Sequence, residues 1–487
     1  MTYREAIAYK DSTLQYGSVP GLDTVRELMK RLGNPQDISR YVHIAGTNGK
    51  GSVSAFLSAV LKEAGYKTGS YHSPPVYEYR EFARINGRNI SEANYTKYME
   101  QVSEAAALMV ADGLVHPTAF EIETALAFLF FASQKCDIVV LEAGMGGALD
   151  ATNIIQAPEV AALTSISMDH ADYLGHTLLE IAEQKSGIIK KGCRAVLMDT
   201  YRVGNAERFT IQYPEQEQKQ EQEQEQKQEQ KQEQKREQKQ EQEQVINKLV
   251  QRCREQEVSY TLADPTEAYD IRHTFPKQVF SYKNHKKIKL SLQGTYQIDN
   301  AILAINVIEQ LNNMGYKISD QQMRRGLETA VWPGRFEVVC KKPLFILDGA
   351  HNEDAARRLA ESIELYFTNR RIIYIMGVLK DKEYEKICEL TAPYASDIIT
   401  VATPHNSRAL SALDLAETVR RFHTQVTAAD SIEEATELAL LLAQMPSGGQ
   451  ESVIIAFGSL SYLGGIYHMM QHREQIRRDS HGRQRED

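Results

Sequence analysis

The first half of this chain is organised around the stretch Val42-His43-Ile44-Ala45-Gly46-Thr47-Asn48-Gly49-Lys50-Gly51-Ser52. A short apolar strand runs into a loop that holds three glycines and one lysine. An amphipathic helix follows, with apolar residues at helical spacing, and Gly65 is placed to end it. This order of strand, Gly-rich loop and helix is typical of a phosphate-binding site, whereas a lone Gly-rich turn would be an ordinary turn.

The residue types of this loop suit a bulky anion. Glycines let the backbone come close to the anion, and the N-terminus of the helix directs free N–H groups at it. Lys50 adds a full positive charge, and Thr47 or Ser52 can offer a hydroxyl to a phosphate or to Mg²⁺. The residues predicted to bind the phosphates of a nucleotide are Gly46, Thr47, Asn48, Gly49, Lys50, Gly51 and Ser52.

Composition limits the function classes that need to be considered. The chain has 487 residues, enough for two or three domains with full cores. Its formal net charge of −9 provides no overall positive charge for binding nucleic acid. Its five scattered cysteines form no C-x-x-C pair, which favours a reducing cytoplasm. No run is long and apolar enough to span a bilayer. We therefore expect a cytoplasmic protein without nucleic-acid or membrane partners.

Two further apolar segments end in polar residues. Residues 137–142 read as a strand that is buried on both faces and parallel to the first strand, and they end in Glu142. Because open parallel sheets bind ligands at this edge, a carboxylate one strand away from the phosphate loop is placed to hold Mg²⁺. The alternative is a solvated glutamate at a strand end. Residues 160–166 repeat the pattern and lead to His170, which can equally be a loop residue.

Two helical segments carry residues of interest. The spacing of Thr118 and Glu121 predicts a capping box at the start of a helix. Phe120, between them, is either a core residue or a ligand contact. Further along, the pattern around Lys185 alone makes it a surface lysine on a helix.

Residues 215–244 are of low complexity, with Gln at nearly every even position and Glu, Lys or Arg at the odd ones. The segment cannot bury apolar surface, and many of its i,i+4 pairs have like charges, which weakens a helix. We predict an insertion in a surface loop that is disordered or forms a transient solvated helix. A helical run over residues 245–255 follows it.

The second half reads as another α/β unit. A buried strand over residues 345–348 leads into Gly349-Ala350-His351-Asn352, and strands over 372–376, 398–402 and 453–457 alternate with helical runs. The predicted fold is α/β, with a P-loop mononucleotide-binding N-terminal domain that has a mostly parallel sheet and a smaller Rossmann-like C-terminal domain. We place these domains at residues 1–294, which include the insertion, and 295–475, with a flexible tail over 476–487.

Several short motifs occur in a fixed order along the chain. They are GTNGKGS from Gly46, LDATN from Leu149, EQKSGIIK from Glu183, WPGRFE from Trp332, DGAHN from Asp348, GVLKDK from Gly377 and FGSL from Phe457. Each motif is modest alone, but together they are specific. The chain resembles the Mur ligase superfamily and, within it, the folylpolyglutamate synthase/dihydrofolate synthase family, over nearly its whole length apart from the insertion and the tail.

The resemblance implies an ATP-dependent ligase that adds L-glutamate to the carboxylate of folate or dihydropteroate through an acyl phosphate. It also implies ATP between the two domains, two Mg²⁺ sites, K⁺ as a further ion, and a monomer that binds only small molecules. A Mur-type ligase for another carboxylate is a second interpretation, although residues 1–40 are too short for the uridine-nucleotide domain that it would need. A third is a non-catalytic nucleotide-binding protein that uses the insertion as a tether.

The resemblance also implies roles for individual residues. The catalytic residues are Lys50, His170 and Lys185, and Lys185 carries CO₂ as a carbamate. The magnesium ligands are Ser73, Glu142, His170 and the carbamate of Lys185. The second-domain contacts to ATP are Asn300, Arg335, Asp348 and His351. The substrate contacts are Phe120, which packs on the pterin, with Asp150 and Ala151 beside it.

The chain departs from the family pattern at three positions. Phe82 and Ala148 stand where the family usually has arginine, and Tyr296 stands where many members have histidine. Because two arginines are missing near an anionic substrate, we expect a weakened anion pocket that arginine at positions 82 and 148 would restore. The residues that handle ATP are unaffected.

Overall fold

The computed structural model describes residues 1–200, 221–404, 406–445 and 449–483. Within these ranges the chain forms two large, mostly parallel sheets and one small antiparallel sheet. Helices lie on both faces of each large sheet. The predicted α/β fold is confirmed.

The first sheet has the strand order β4-β3-β2-β5-β1-β6-β7-β8. Its strands are β1 (Tyr41–Ala45), β2 (Thr68–Tyr71), β3 (Ala83–Ile85), β4 (Arg88–Asn89), β5 (Ile138–Glu142), β6 (Val160–Leu163), β7 (Arg194–Met198) and β8 (Tyr260–Ala263). β1 pairs in parallel with both β5 and β6, so the carboxyl ends of these strands meet at one edge. The strand that ends in Glu142 is therefore the direct neighbour of the phosphate loop, as predicted.

Both faces of this sheet are buried, which explains the nearly continuous apolar runs in its strands. Val42 and Val140 face one core, whereas Tyr41 and Val139 face another. The predicted capping box at Thr118 is present. The α-helices of this part of the chain are α1 (Tyr3–Ser12), α2 (Asp23–Arg31), α3 (Lys50–Glu63), α4 (Glu92–Ala111), α5 (Ala119–Ser133), α6 (Ala171–Leu174), α7 (Leu178–Ser186), α8 (Glu221–Glu255), α9 (Gln297–Asn313) and α10 (Asp320–Thr329).

A small antiparallel sheet, which the sequence reasoning missed, bridges the two halves. Its strands are β9 (Ala268–Thr274), β10 (Lys277–Tyr282) and β11 (His285–Leu290). Phe280 and Tyr282 are buried in the core of the first half. Phe275, at the turn between β9 and β10, contacts the ring of Phe367 in the second half, with ring centroids 5.7 Å apart.

The second large sheet has the order β12-β13-β17-β14-β15-β16, with β12 antiparallel to its neighbour and the other pairs parallel. Its strands are β12 (Glu337–Lys341), β13 (Leu344–Leu347), β14 (Arg371–Met376), β15 (Asp397–Val401), β16 (Val426–Ala429) and β17 (Ser452–Phe457). The accompanying helices are α11 (Glu353–Phe367), α12 (Tyr384–Thr391), α13 (Ala412–Arg420), α14 (Ile432–Gln444) and α15 (Leu460–Arg483). No helix in the described ranges is both long and apolar enough to cross a membrane.

The packing of α9 and α10 bears on where the two domains divide. Both helices lie against α3, and the apolar residues of α9 belong to the core of the first sheet. The sequence-based boundary after residue 294 stays a prediction. Because α9 and α10 pack on the first half, we propose a different boundary, near Trp332. The last helix continues to Arg483, beyond residue 475, where the sequence-based division ends the second domain.

The low-complexity insertion is helical where the structure describes it. Residues 221–244 continue without a break into the predicted run over 245–255 and form α8 with it, whereas residues 215–220 lie outside the described residues. The apolar end of α8, including Leu249 and Cys253, is buried beside α7. Gln242 is anchored, since it accepts a hydrogen bond from Thr200 at 2.6 Å.

This arrangement predicts where the insertion can be cut. We expect replacement of residues 215–240 by a short Gly/Ser bridge to change the melting temperature by less than about 2 °C, because loop length costs little and both Gln242 and the buried residues after it remain. Leu249→Ala is the matched control in the buried part of the same helix and should lower the free energy of unfolding by about 2–5 kcal/mol. A deletion as harmful as Leu249→Ala in thermal melts would show that the repeat itself packs on the domain.

Candidate active site

The phosphate loop is shaped by its glycines and closed by its lysine. Gly49 has φ 87° and precedes α3, and a side chain on Gly46 would lie 1.7 Å from the hydroxyl of Thr164. Lys50 is the first residue of α3, and its Nζ donates hydrogen bonds to the carbonyl oxygens of Gly46 and Thr47, both at 3.0 Å. The ammonium group is thereby held over the loop, where the phosphates of a nucleotide would lie.

The two hydroxyl candidates of the loop are engaged in the structure. Thr47 Oγ1 donates to the carbonyl of Ser167 at 2.9 Å, which ties the loop to the segment that follows β6. Ser52 is buried, and its hydroxyl accepts a hydrogen bond from Gln297 of α9 at 3.1 Å. Chain segments far apart in sequence therefore fix the loop.

Lys185 is buried, so the reading of this residue as a surface lysine is wrong. It lies on α7 with 3% of its surface exposed, and its Nζ donates to the carbonyl of Gly46 at 2.9 Å. Burial and the nearby charge of Lys50 lower the pKa of Lys185 to about 7. The two lysines share one acceptor, so their charges repel each other beside the phosphate loop.

Glu142 is buried, contrary to the alternative of a solvated strand end. Its Oε2 atom finds no hydrogen-bond donor among the described residues. Burial raises the pKa of Glu142 to about 7, although the positive charges of Lys50 and Arg335 act in the other direction. A buried carboxylate with an unused oxygen, beside cationic groups that suit phosphates, fits a hard cation such as Mg²⁺.

The remaining candidates for metal binding are less enclosed. Ser73 is half-buried in the loop after β2. His170 has a left-handed backbone conformation with φ 52°, and its side chain is 39% exposed. Within the described ranges, no three His, Cys, Asp or Glu side chains converge as a metal-binding group. Because Mg²⁺ keeps several waters and needs only one or two carboxylates from the protein, this finding is compatible with binding at Glu142.

Asp169, beside His170, connects the two halves of the protein. Its Oδ1 atom accepts a hydrogen bond from Lys382 Nζ at 2.7 Å and another from the backbone N–H of His170 at 2.9 Å. The side chains of Asp169 and Lys382 are only 8% and 11% exposed. This partly buried ion pair lies directly beside His170. Sequence reasoning missed Lys382 as a contact, although it noted the GVLKDK motif that contains it.

Asn300 of α9 and two residues of the second half, Asn352 and Asp354, reach the phosphate loop. A side chain on Gly49 would lie 2.3 Å from the Oδ1 atom of Asn300, so Asn300 is packed directly on the loop. Asn48 Nδ2 donates to Asn352 Oδ1 at 3.3 Å and to Asp354 Oδ2 at 2.8 Å. Asn352 and Asp354 were not singled out from the sequence. The loop is therefore an interface between the two halves as well as a nucleotide site.

Arg335, Asp348 and His351 lie together at the carboxyl end of β13. A side chain on Gly349 would lie 1.8 Å from the guanidinium of Arg335. Asp348 accepts hydrogen bonds from the backbone N–H of Ala350 at 2.8 Å and from the hydroxyl of Tyr296 at 3.2 Å. Tyr296, which departs from the family pattern, thus contacts Asp348 through its hydroxyl.

His351 is half-buried, and desolvation by the surrounding protein lowers its pKa to about 4. The imidazole is therefore neutral at pH 7. Its Nδ1 atom donates to the carbonyl of Gly349 at 2.7 Å, which leaves Nε2 as an acceptor.

The predicted substrate contacts form a second cluster beyond Glu142. Phe120 is half-buried, and its ring lies so close to Gly144 that a side chain there would approach it to 2.5 Å. Asp150 is buried and accepts hydrogen bonds from the backbone N–H groups of Met145 and Thr152. Ala151, which follows it, is buried beside the core. This cluster offers an aromatic ring and a fixed carboxylate to a flat polar ligand.

The structure changes the expectation for the missing arginines. Phe82 is 1% exposed and packs against the rings of Tyr71 and Tyr95, with centroids 6.2 and 6.3 Å away. It is a core residue, so an arginine there would not simply restore an anion pocket. Ala148 is only half-buried, but its backbone lies against Gly187.

We therefore expect Phe82→Arg to lower the free energy of unfolding by about 3 kcal/mol, because it removes a packed ring and buries a charge. Leu108→Arg is the matched control, since Leu108 is 59% exposed on α4, the helix that also carries Tyr95. Denaturant titrations of both variants measure the difference. Unchanged stability together with tighter binding of a pterin carboxylate by Phe82→Arg would reinstate the expectation of an anion pocket.

Comparison with known proteins agrees with this geometry. Two family models match the chain, the Mur ligase middle domain over residues 44–308 and the Mur ligase glutamate ligase domain over residues 334–460. The fold and the site thus define a Mur-type ligase.

Individual relatives narrow the class. Dihydrofolate synthase/folylpolyglutamate synthase of Bacillus subtilis is 33% identical over 473 residues, which cover 95% of this chain and 98% of the relative. The structure of Mycobacterium tuberculosis folylpolyglutamate synthase complexed with ADP and AMPPCP has a TM-score of 0.80 and 27% identity, covering 96% of this chain and 99% of that one. The Escherichia coli FolC structure in complex with DHPP and ADP has a TM-score of 0.75 and 25% identity, covering 97% and 98%. The chain belongs to the folylpolyglutamate synthase/dihydrofolate synthase family.

Proposed function

We propose that this ligase uses ATP to join L-glutamate to the carboxylate of folate or dihydropteroate. The observation that carries the proposal is the meeting of both halves at one phosphate loop, where Lys50, Asn300 and Asn352 converge beside the buried Glu142. The pterin cluster of Phe120, Asp150 and Ala151 lies beyond Glu142, so a carboxylate held there can face the terminal phosphate of ATP.

The chemistry needs positioning and positive charge more than a nucleophilic side chain. A carboxylate oxygen of the substrate attacks the γ-phosphorus, the bond to ADP breaks, and an acyl phosphate forms. The amine of glutamate then attacks the carbonyl carbon, loses its proton, and phosphate leaves. Lys50 and Arg335 stabilise the charge on the phosphoryl group, while Asn300 of α9 and His351 of the second half contact the nucleotide.

One Mg²⁺ would be held by Ser73 and Glu142, and when bound it would neutralise phosphate charge. A second Mg²⁺ beside His170, and K⁺, stay predictions. Glu142 supports the first of these sites through its buried, unused oxygen. Metal binding would also keep this carboxylate ionised in a site where burial raises its pKa to about 7.

We extend the proposal to a carbamate on Lys185. Carbamylation needs a neutral amine, and an ordinary lysine with a pKa near 10.4 has only about one neutral molecule in a few thousand at pH 7. In this site the pKa of Lys185 falls to about 7, because the residue is buried beside Lys50. A carbamate would replace repulsion between two ammonium groups by attraction and would add an oxygen ligand for the second Mg²⁺.

The proposal includes a monomeric, cytoplasmic enzyme whose partners are small molecules. All five cysteines are free and buried, which is compatible with a reducing compartment.

Phosphate release from ATP tests the function. We expect release only when glutamate and a pterin carboxylate are both present, with a product heavier by one glutamyl residue in the mass spectrum. Dihydropteroate and tetrahydrofolate are compared as acceptors in parallel. Release with another carboxylate only would favour a different Mur-type ligase, and no release with any acceptor would favour a non-catalytic nucleotide-binding protein.

A further inference from the structure

The loop that carries Ser73 belongs to the first half of the chain but is held by the second. Four residues after Ser73, the ring of Tyr77 stacks on the ring of Tyr467 of α15, with centroids 3.9 Å apart and planes 7° from parallel. Stacking of these two large rings stabilises the contact between the loop and α15. The proposed function assigns no role to either tyrosine.

The hydroxyl of Tyr77 makes a second contact. It donates to Glu337 Oε2 at 2.5 Å, and the same oxygen accepts the backbone N–H of Gly334 at 2.8 Å. Gly334 directly precedes Arg335 in the chain. One carboxylate oxygen therefore ties the Ser73 loop to the loop that carries Arg335.

The backbone of the loop is fixed at the same place. His468 Nε2 donates to the carbonyl oxygen of Tyr77 at 3.0 Å. A side chain on Gly464 would lie 2.6 Å from the carbonyl oxygen of Val76, so only glycine lets α15 come this close. The loop and α15 are thus closely packed, through backbone as well as side-chain contacts.

On the side of the first half, a single carboxylate holds the Ser73 loop. Glu81 Oε2 accepts the backbone N–H groups of Val76 and Tyr77, at 3.2 and 3.3 Å. Glu81 is itself buried, and its Oε1 atom lies 3.4 Å from Nη2 of Arg84. The loop therefore sits between a fixed carboxylate of its own half and the tyrosine pair of the other half.

We propose that Tyr77, with Tyr467 and Glu337, is a positioning residue that couples the Ser73 loop to the Arg335 loop. Through this coupling the same contacts position both Ser73, to bind magnesium, and Arg335, to bind phosphate. The inference rests on the proposed function, because it assigns to Ser73 and Arg335 the roles stated there. Loss of the coupling should weaken the use of magnesium with nucleotide and spare the binding of nucleotide alone.

The single tryptophan provides the readout. Trp332 packs against Gly51 of α3 and against the ring of His72, 4.6 Å between centroids, so its fluorescence reports on the junction of the two halves. Magnesium is titrated into each variant with saturating ADP, and ADP is titrated separately in EDTA. For Tyr77→Ala we expect the half-saturating magnesium concentration to rise about tenfold, and for Tyr77→Phe, which loses only the hydroxyl contact, about threefold.

Further measurements separate positioning from general stability. ADP affinity in EDTA should change less than about twofold in both variants, and Tyr260→Ala, an exposed residue on the edge strand β8, should change nothing. An unshifted magnesium titration in both Tyr77 variants, or equal losses with magnesium and with EDTA, would overturn the proposal. If the unaltered chain itself shows no magnesium-dependent response to ADP, the proposed function fails instead.

Discussion

Lys50→Ala should lower turnover on the order of 10²-fold or more while the protein stays folded. The ammonium of Lys50 is fixed by the carbonyl oxygens of Gly46 and Thr47, so it stands ready for the charge that develops on the transferred phosphoryl group. A preorganised charge of this kind acts more strongly on the transition state than on bound ATP. We therefore expect the loss chiefly in kcat, with a smaller change in KM for ATP.

Lys62→Ala is the matched control, because Lys62 lies exposed in the last turn of the same helix. Initial rates of phosphate release at several ATP concentrations give both constants. Near-normal kcat in Lys50→Ala, with an unchanged melting temperature, would remove Lys50 from the chemistry.

The second large effect is expected at Lys185. If the residue works as a carbamate, Lys185→Ala should lose nearly all activity, and formate or acetate at high concentration should restore part of it by supplying carboxylate oxygens. Lys191→Ala is the control, because Lys191 directly follows the same motif and its side chain is 75% exposed. Full activity of Lys185→Ala, or a loss that small carboxylates never relieve, would speak against the carbamate.

The pKa of Lys185 adds a test by pH. Because this pKa is lowered to about 7, the amine is mostly protonated below pH 6 and mostly neutral above pH 8. Activation by added bicarbonate should therefore be slight at pH 6 and rise through pH 7. Intact-mass measurement under CO₂ should show one added carboxylate in the unaltered chain and none in Lys185→Ala. Activation that falls with rising pH would contradict the assignment.

Local sequence patterns predicted the parts of the fold that depend on local chemistry. The Gly-rich loop, the buried strand that ends at Glu142 and the capping box at Thr118 each follow from residue types at fixed spacing, and the structure shows all three. The small sheet over β9 to β11 was missed because its strands are mostly polar on their outer face and bridge two cores. Such a pattern lacks the long apolar runs that reveal the buried strands.

The site residues also divide into those that the local sequence reveals and those that it does not. Lys185 has the appearance of a surface lysine on an amphipathic helix, and only the approach of α7 to the phosphate loop buries it. Contacts between the halves, such as Lys382 with Asp169 and Tyr77 with Tyr467, join residues hundreds of positions apart. No local periodicity encodes these pairs. They follow from how the two large sheets and their helices meet.

Phe82 shows the opposite error. Comparison of motifs marked it as a missing arginine, whereas its burial among aromatic rings makes it part of the core. A motif position alone does not tell whether a side chain turns toward a pocket or toward the interior.

Transfer of an oxygen isotope tests the central claim most directly. A pterin carboxylate labelled with ¹⁸O in its carboxyl group is incubated with ATP, glutamate and the enzyme, and the released phosphate is analysed by mass spectrometry. Passage through an acyl phosphate requires that one labelled oxygen leaves with phosphate while the product gains one glutamyl residue. Release of unlabelled phosphate, or of phosphate without formation of the glutamyl product, would contradict the account.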